Sequence, residues 1–454
     1  MKQLQSGIAT FQVLIEGNYI YADKTRSIYE MVTDSDRFFF LSRPRRFGKS
    51  LLLSTLKSLF SGPPDPDGPP QGLFQDLWIG RHSDYDFSQT FPVINLFMNF
   101  AALTPEGLLA TLASRMNVIA NEEKLNINFT PSFVDLSSLI ELLSKKYNKK
   151  VVVLIDEYDA QVSEKIGNLP LALQFQDVLK GVYSSLKSSD EYLRFVLVTG
   201  VTRYSMTGLS AGLNHLNDLT FDNKYADICG FTVEEFDLHF GGRLPALLEV
   251  MKKKGRFLEE MTVPMLRDKF LHWYDGYSWD GQSRVLNPFS ILNCFRKSYF
   301  EQFWIDTGPS VNFINNLITK NIGDPSIFLQ DENKFYPLKT LNSAAVGGLS
   351  SAAGLFQTGY LTVNETQPGP GGTADYYSLK IPNWEVKSDN FKIFSTSLLS
   401  VLGQTQENAR EDFEKALLAK DSQRMTEIIE AVFIGLAARH HRNEESFYHS
   451  VLYG

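Results

Sequence analysis

The sequence predicts an α/β fold: a parallel sheet with helices on both faces, then a helical module, then a smaller α/β segment at the C-terminal end. Three observations carry this. Short aliphatic or aromatic runs alternate with stretches of helical periodicity through the first half of the chain. The clearest run, residues 150–155 (KVVVLI), is β-branched and apolar on both sides, as a strand covered on both faces must be. From about Thr232 onward the strands give way to consecutive helical patterns.

Residues 37–42 (RFFFLS) form a short apolar run, expected to be a buried strand. Residues 50–60 switch to helical spacing, with Leu52, Leu53, Leu56 and Phe60 on one stripe. Residues 62–72 are rich in Pro, Gly and Asp and read as a loop. A second strand is expected at 91–97, helices at 105–120 and 133–147, the central strand at 150–155, a helix at 170–187 and a further buried strand at 194–199. The next patterns, 233–240, 244–254, 264–273 and 288–301, are helical, and a short β-wing near 277–285 would make this module a winged helix. Residues 325–354 are mixed and loop-rich. Residues 355–363 and 376–381 read as two strands around a Gly/Pro loop at 368–372. The tail from Ser388 is helical, with Asp421 as the N-cap of a helix over 422–439. The expected units are 1–230, 231–325 and 326–454, and no internal repeat is visible.

At 454 residues the chain is too long for one core. Its longest aliphatic run, 151–155, is far below the ~20 residues that cross a bilayer. The N-terminus lacks the apolar stretch of a secretory signal. The only cysteines are Cys229 and Cys294, too few and too distant for a disulfide framework or a metal cluster. A cytoplasmic or otherwise intracellular location without membrane contact is the expectation. A net charge of −8 gives no global signal for nucleic acid, but Arg43, Arg45, Arg46 and Lys49 form a local basic patch.

That patch lies in Ser42-Arg43-Pro44-Arg45-Arg46-Phe47-Gly48-Lys49-Ser50, between an expected strand and an expected helix. This is the setting of a P-loop, where backbone N–H groups and the positive end of a helix wrap around phosphate oxygens. Arg46, Phe47, Gly48, Lys49 and Ser50 are the expected nucleotide-binding positions. Lys49 is expected between the β- and γ-phosphates, and Ser50 is expected to offer its hydroxyl to Mg²⁺. Position 43, where the pattern G-x-x-x-x-G-K-[ST] has its first glycine, holds arginine, so the first turn must be built differently.

The central strand ends in Asp156-Glu157. A strand of this kind carries its last residues to the carboxyl edge of the sheet, where α/β proteins bind ligands. Asp156 is expected to hold Mg²⁺, and Glu157 to polarise the attacking water as general base. The strand leading into the loop and this acidic strand are expected to be neighbours. Thr199 or Thr202, at the tip of the next strand, suits contact with the γ-phosphate, and Arg203 could neutralise transferred charge as a second catalytic group. Asp159 would support the metal shell or cap the next turn.

The motifs Tyr21-Ala22-Asp23-Lys24-Thr25, R-P-R-R-F-G-K-S at 43–50 and I-D-E-Y-D at 155–159 resemble the AAA-ATPase-like family that is fused to PD-(D/E)XK nuclease domains. The resemblance continues through residues 212–220 (GLNHLNDLT), 229–232 (CGFT), 273–277 (WYDGY), 287–290 (NPFS) and 356–362 (FQTGYLT), covering nearly the whole chain. It implies a P-loop ATPase core using ATP and Mg²⁺, a helical or winged-helix module, and a C-terminal nuclease-like segment. It also implies that arginine at the first glycine position is a family trait. Glu445-Ser446-Phe447-Tyr448-His449 matches the opening helix of the nuclease fold, but the strands that bring the remaining acids and lysine do not follow before Gly454. No nuclease activity is expected from this chain, since two-metal cleavage needs those acids. The expected function is Mg-dependent ATP binding and hydrolysis that moves the helical module. The alternative is a nucleotide-gated switch or DNA-binding adaptor without appreciable turnover. DNA or RNA would meet the helical module, where Trp273, Tyr274 and Tyr277 could stack on bases, although core packing is the first expectation for them. Self-association into a homo-oligomer is left open by the sequence.

Overall fold

The computed structural model describes residues 2–63, 69, 71–81, 84–203, 216–257, 260–304, 334–342, 350–388, 421 and 423–424. Strands β1 (Phe38–Ser42), β2 (Val93–Phe97), β3 (Val151–Asp156), β4 (Leu193–Gly200) and β5 (Asn217–Asp218) form one sheet in the order β2-β3-β4-β1-β5. Every pairing in it is parallel. β1 and β3 are therefore not neighbours, which corrects the expectation above. β4 lies between them, and its tip is wedged between the loop after β1 and the acids after β3.

Alternate strand residues feed two cores, as a period of two requires. Phe39, Leu41, Val152, Leu154, Phe195 and Leu197 face one side. There they meet α1 (Phe11–Glu16), α2 (Thr25–Val32), α3 (Lys49–Ser61) and α4 (Trp78–Arg81). Phe40, Ile94, Leu96, Val153, Ile155, Val196 and Val198 face the other. They pack on α5 (Pro105–Glu122), α6 (Leu136–Tyr147), the short α7 (Ala160–Ser163) and α8 (Leu169–Ser188). Val151 to Ile155 are completely buried, which explains the unbroken apolar run. Local chemistry fixes the helix ends. Thr104 accepts a hydrogen bond from Gly107 N and Pro105 occupies the first turn of α5, while Asn148 closes α6 in a left-handed conformation.

The helical module is α9 (Val233–Phe240), α10 (Leu244–Lys253), α11 (Val263–Tyr274) and α12 (Pro288–Lys297). It has its own core around Phe236, Phe240, Met251, Phe270, Ile291 and Cys294. Thr232 and Glu235 form a full capping box at the start of α9. α12 ends before residue 301 because Ser298 turns left-handed at φ 62°. The expected wing reduces to two single antiparallel bridges, Phe231 to Leu286 and Tyr277 to Val285. Tyr274 and Tyr277 are buried, and Trp273 packs on Tyr274 and Phe300. Tyr274 and Tyr277 belong to the core, and Trp273 is half-buried against it.

Towards the C-terminal end, α13 (Leu338–Asn342) and α14 (Ser351–Thr358) accompany an antiparallel sheet of β6 (Phe335–Pro337), β7 (Thr362–Gln367) and β8 (Tyr376–Lys380), ordered β6-β8-β7. The strand expected over 355–363 starts as a helix end at 355–358, and only 362–363 are strand. Ser350 caps α14 by accepting from Ala353 N, and Gly359 ends it at φ 91°, so strand pairing begins only at Thr362. Phe356, Tyr360, Val363 and Leu379 share a core with Phe47, Tyr277, Trp279 and Trp304, so this sheet is seated against the loop after β1. Asp421 accepts from Arg424 N (2.9 Å) as an N-cap would. The rest of that expected helix, with Glu445 and His449, lies outside the described residues. Among the described residues, no helix is long and apolar enough to cross a membrane.

Candidate nucleotide site

The loop between β1 and α3 begins on the sheet. Arg43 N donates to Gly200 O (3.2 Å) and the Ser42 hydroxyl donates to Val201 O (2.6 Å), so β1 and β4 are tied together past their last regular pair. The Arg43 side chain then turns inward and is fully buried. Its guanidinium donates to Ser42 O (2.8 Å), Thr220 O (3.0 Å) and Tyr225 O (2.9 Å), and stacks 4.0 Å from the Trp279 ring. Burial pulls this group down to about 10, a measure of how far it has been taken from water. Arginine at the usual glycine position is thus a pillar beneath the loop. The tight turns are displaced to Arg46 (φ 68°) and Gly48 (φ 103°). A Cβ built on Gly48 would meet nothing within 4 Å, so the glycine is demanded by its backbone angle, and the space above it is open.

Lys49 opens α3 and is buried. Its ammonium donates to Arg43 O (2.8 Å) and Pro44 O (2.9 Å), closing the loop on itself. Burial lowers its pKa, and the charges of Asp156 and Glu157 oppose that shift. Both acids are therefore within electrostatic reach of the ammonium, although a strand intervenes between β1 and β3.

Asp156 Oδ1 accepts from the Thr199 hydroxyl (2.8 Å) and from Glu157 N (3.0 Å). β4 thus orients the acid that ends β3. Glu157 sits in the left-handed region at φ 52°, a conformation that costs a glutamate about 1–3 kcal/mol and must be held by its surroundings. Its Oε2 is buried without a hydrogen-bond partner. Burial raises its pKa, with Lys49 and Arg45 pulling the other way. Asp159 accepts from Val201 N (3.2 Å) and Thr202 N (2.6 Å), so it pins the segment after β4. Arg203 is committed elsewhere. Its guanidinium is ion-paired with Asp218 and lies near the Phe40 ring, while its backbone N–H donates to Gln357 Oε1 (2.9 Å).

A cavity of about 440 Å³ gathers Arg46, Phe47, Gly48, Lys49, Ser50 and Glu157 on its wall. Asp156, Thr199 and Arg203 are not part of that wall. Phe47 contributes backbone there, for its ring is buried against Tyr277 and Trp279. The wall also includes residues that the sequence did not single out. Asn99 follows β2, whose Phe97 is in register with Asp156. Residues 5–9 line one side, and Lys24 reaches across to Glu235 on α9 (2.7 Å). The helical module contributes Phe289, over which the Arg46 guanidinium sits at 4.6 Å. The strand register that brings Asn99 here was the signal needed, and it is not written in local sequence.

A family profile described as predicted AAA-ATPase (AAA-ATPase-like) matches residues 5–210, the stretch that holds the loop, both acids and β4. An uncharacterized protein in the vnfD 5′ region of Azotobacter chroococcum mcd 1 is 31% identical over 466 residues, covering 100% of this chain and 82% of that protein. Residues 5–210 belong to the AAA-ATPase-like family. This membership supports ATP binding. No solved structure matches this AAA-ATPase-like chain.

The site suits a nucleotide carried with a divalent cation. The space above Gly48 is open, the Glu157 Oε2 atom is orphaned, and Ser50 lies on the same wall as Glu157. Among the described residues no three His, Cys, Asp or Glu side chains form a metal cage. Mg²⁺ held together with phosphates asks for only one or two protein oxygens, which Ser50 on the wall and Asp156, buried behind it and oriented by Thr199, would provide.

Proposed function

We propose that this AAA-ATPase-like protein binds Mg-ATP in the cavity beside Lys49 and hydrolyses it with Glu157 as general base. The observation that carries this reading is the convergence of Lys49, Ser50 and Glu157 on one cavity at the carboxyl edge of a parallel sheet. In the free protein the Lys49 ammonium is satisfied by its own loop carbonyls. Phosphate oxygens would take over those bonds and add the loop N–H groups and the start of α3. Ser50 and Asp156 would hold the cation, with Thr199 fixing the rotamer of Asp156. Bound there, Mg²⁺ neutralises phosphate charge and orients the γ-phosphoryl group. Glu157 lines the cavity and has a carboxylate oxygen without a hydrogen-bond partner, which supports a role in accepting a proton from water.

Two contacts would relay occupancy to the helical module: the Arg46 stack on Phe289 and the Lys24–Glu235 ion pair. A division into units 1–230, 231–325 and 326–454 is proposed on this basis, with the loop as the hub. The second reading, a nucleotide-gated switch with negligible turnover, is favoured by one observation: Arg203 is already neutralised by Asp218. Calorimetry with ATP and Mg²⁺, together with a phosphate-release assay, separates the two. The hydrolytic reading expects binding that Lys49→Ala weakens and turnover that Glu157→Gln abolishes. Binding without release in the wild type would leave the switch.

A further inference from the structure

Phosphoryl transfer develops charge on the three equatorial oxygens of the moving group, and a guanidinium beside them is among the largest single contributions a protein can make. The sequence offers four arginines near the site, and the structure distributes them differently. Arg43 is sealed beneath the loop against Trp279. Arg203 is paired with Asp218. Arg46 is exposed and stacked on Phe289 of the helical module. Arg45 remains. It is half-buried, it lies on the wall of the cavity with Lys49, Ser50 and Glu157, and among the described residues it makes no hydrogen bond or ion pair. Arg46, next in the chain, takes the left-handed turn, and Arg45 shares the cavity wall with Glu157. Its charge is felt by the Glu157 carboxylate.

Resting on the ATPase reading above, we infer that Arg45 is the catalytic cation of the site, supplied in cis by the loop itself. The water oxygen bonds to the γ-phosphorus as its proton passes to Glu157. The bond between that phosphorus and the β–γ bridging oxygen breaks, and the electron pair leaves with ADP. Arg45 contacts the γ-phosphoryl oxygens throughout this exchange and matters most when their charge is greatest. A cation carried by the loop needs no second chain to complete the site, so the rate per chain is independent of protein concentration.

The test compares wild type, Arg45→Ala and Arg45→Lys by ATP turnover, ADP affinity and trapping of ADP with aluminium fluoride and Mg²⁺. Thermal melts confirm that the variants fold. Arg45→Ala should lose roughly 10²- to 10³-fold in turnover and fail to trap the complex, while its ADP affinity stays within about fivefold. Lysine should recover little, because it lacks the planar fork. Mixing Arg45→Ala with Lys49→Ala chains should restore nothing. The inference is overturned if Arg45→Ala matches wild type in turnover and trapping, or if the mixture regains activity, which would place the cation in trans. A wild type that binds ADP but neither hydrolyses ATP nor traps the complex overturns the ATPase reading instead, and this inference with it.

Discussion

Replacing Arg43 with glycine would restore the usual loop pattern, and on sequence alone it looks like a repair. The structure predicts damage. The side chain makes three hydrogen bonds to buried carbonyls at 2.8, 3.0 and 2.9 Å. Each is worth about 1.5–3 kcal/mol for a charged donor. Stacking on Trp279 adds about 2 kcal/mol in a desolvated setting. Against this gross gain of roughly 6–11 kcal/mol stands the cost of keeping a guanidinium from water, several kcal/mol for one buried ion. The difference, about 3–5 kcal/mol, is what Arg43→Gly should remove, with a further ~0.5–1 kcal/mol from glycine's freedom in the unfolded chain. That is a large part of the ~5–15 kcal/mol that holds a typical domain folded. Urea unfolding followed by tryptophan fluorescence reads it directly, since Trp279 loses its stacking partner. A change below about 1 kcal/mol, or tighter nucleotide binding at unchanged stability, would refute the view of Arg43 as a structural pillar.

Three other perturbations follow from the same geometry. Glu157 has its pKa raised by burial in the folded chain, so its favourable contribution is present at acid pH and disappears as pH rises through the folded value. Glu157→Gln keeps the uncharged shape at neutral pH and should raise the melting temperature of the ligand-free protein by about 1–4 °C, on the order of 1 kcal/mol, as scanning calorimetry would register; a lowered melting point counts against it. For the same reason, the acid limb of turnover should lie above the ordinary carboxylate value of 4.5, and a limb at or below that value in a pH–rate profile would remove Glu157 as the base. Gly359→Ala would put a Cβ 2.9 Å from Pro44 Cβ at a φ of 91°, costing about 1–3 kcal/mol in thermal or chemical unfolding, and a neutral result would show that the helix end and the loop move apart easily.

Much of this architecture is legible in the chain. Residues 150–155 are β-branched and two-sided, and β3 occupies Val151–Asp156, buried on both faces. The apolar stripe from Leu52 to Phe60 marks α3, and α9 runs over the residues its periodicity indicates. Short apolar runs are less informative. Residues 355–361 (LFQTGYL) suit a buried strand as well as a helix end, and only the Ser350 cap and the left-handed Gly359 decide between them. Strand order is also hidden, because nothing within β1 or β3 says that β4 will come between them. Long-range partnerships are hidden for the same reason. Arg203 looks like a free cation until Asp218, fifteen positions away and on another strand, is seen to hold it.

Helix α14 carries Gln357, whose Oε1 accepts from Arg203 N (2.9 Å) and whose Nε2 donates to Leu341 O (2.7 Å). Two residues later Gly359 rests on Pro44. A single helix end, more than 300 positions downstream of the loop, therefore serves as common footing for the loop after β1 and the segment after β4. Neither can shift without pressing on the other through that footing. A chain cut before residue 350 would keep every signature the N-terminal half displays and still leave the loop without its floor.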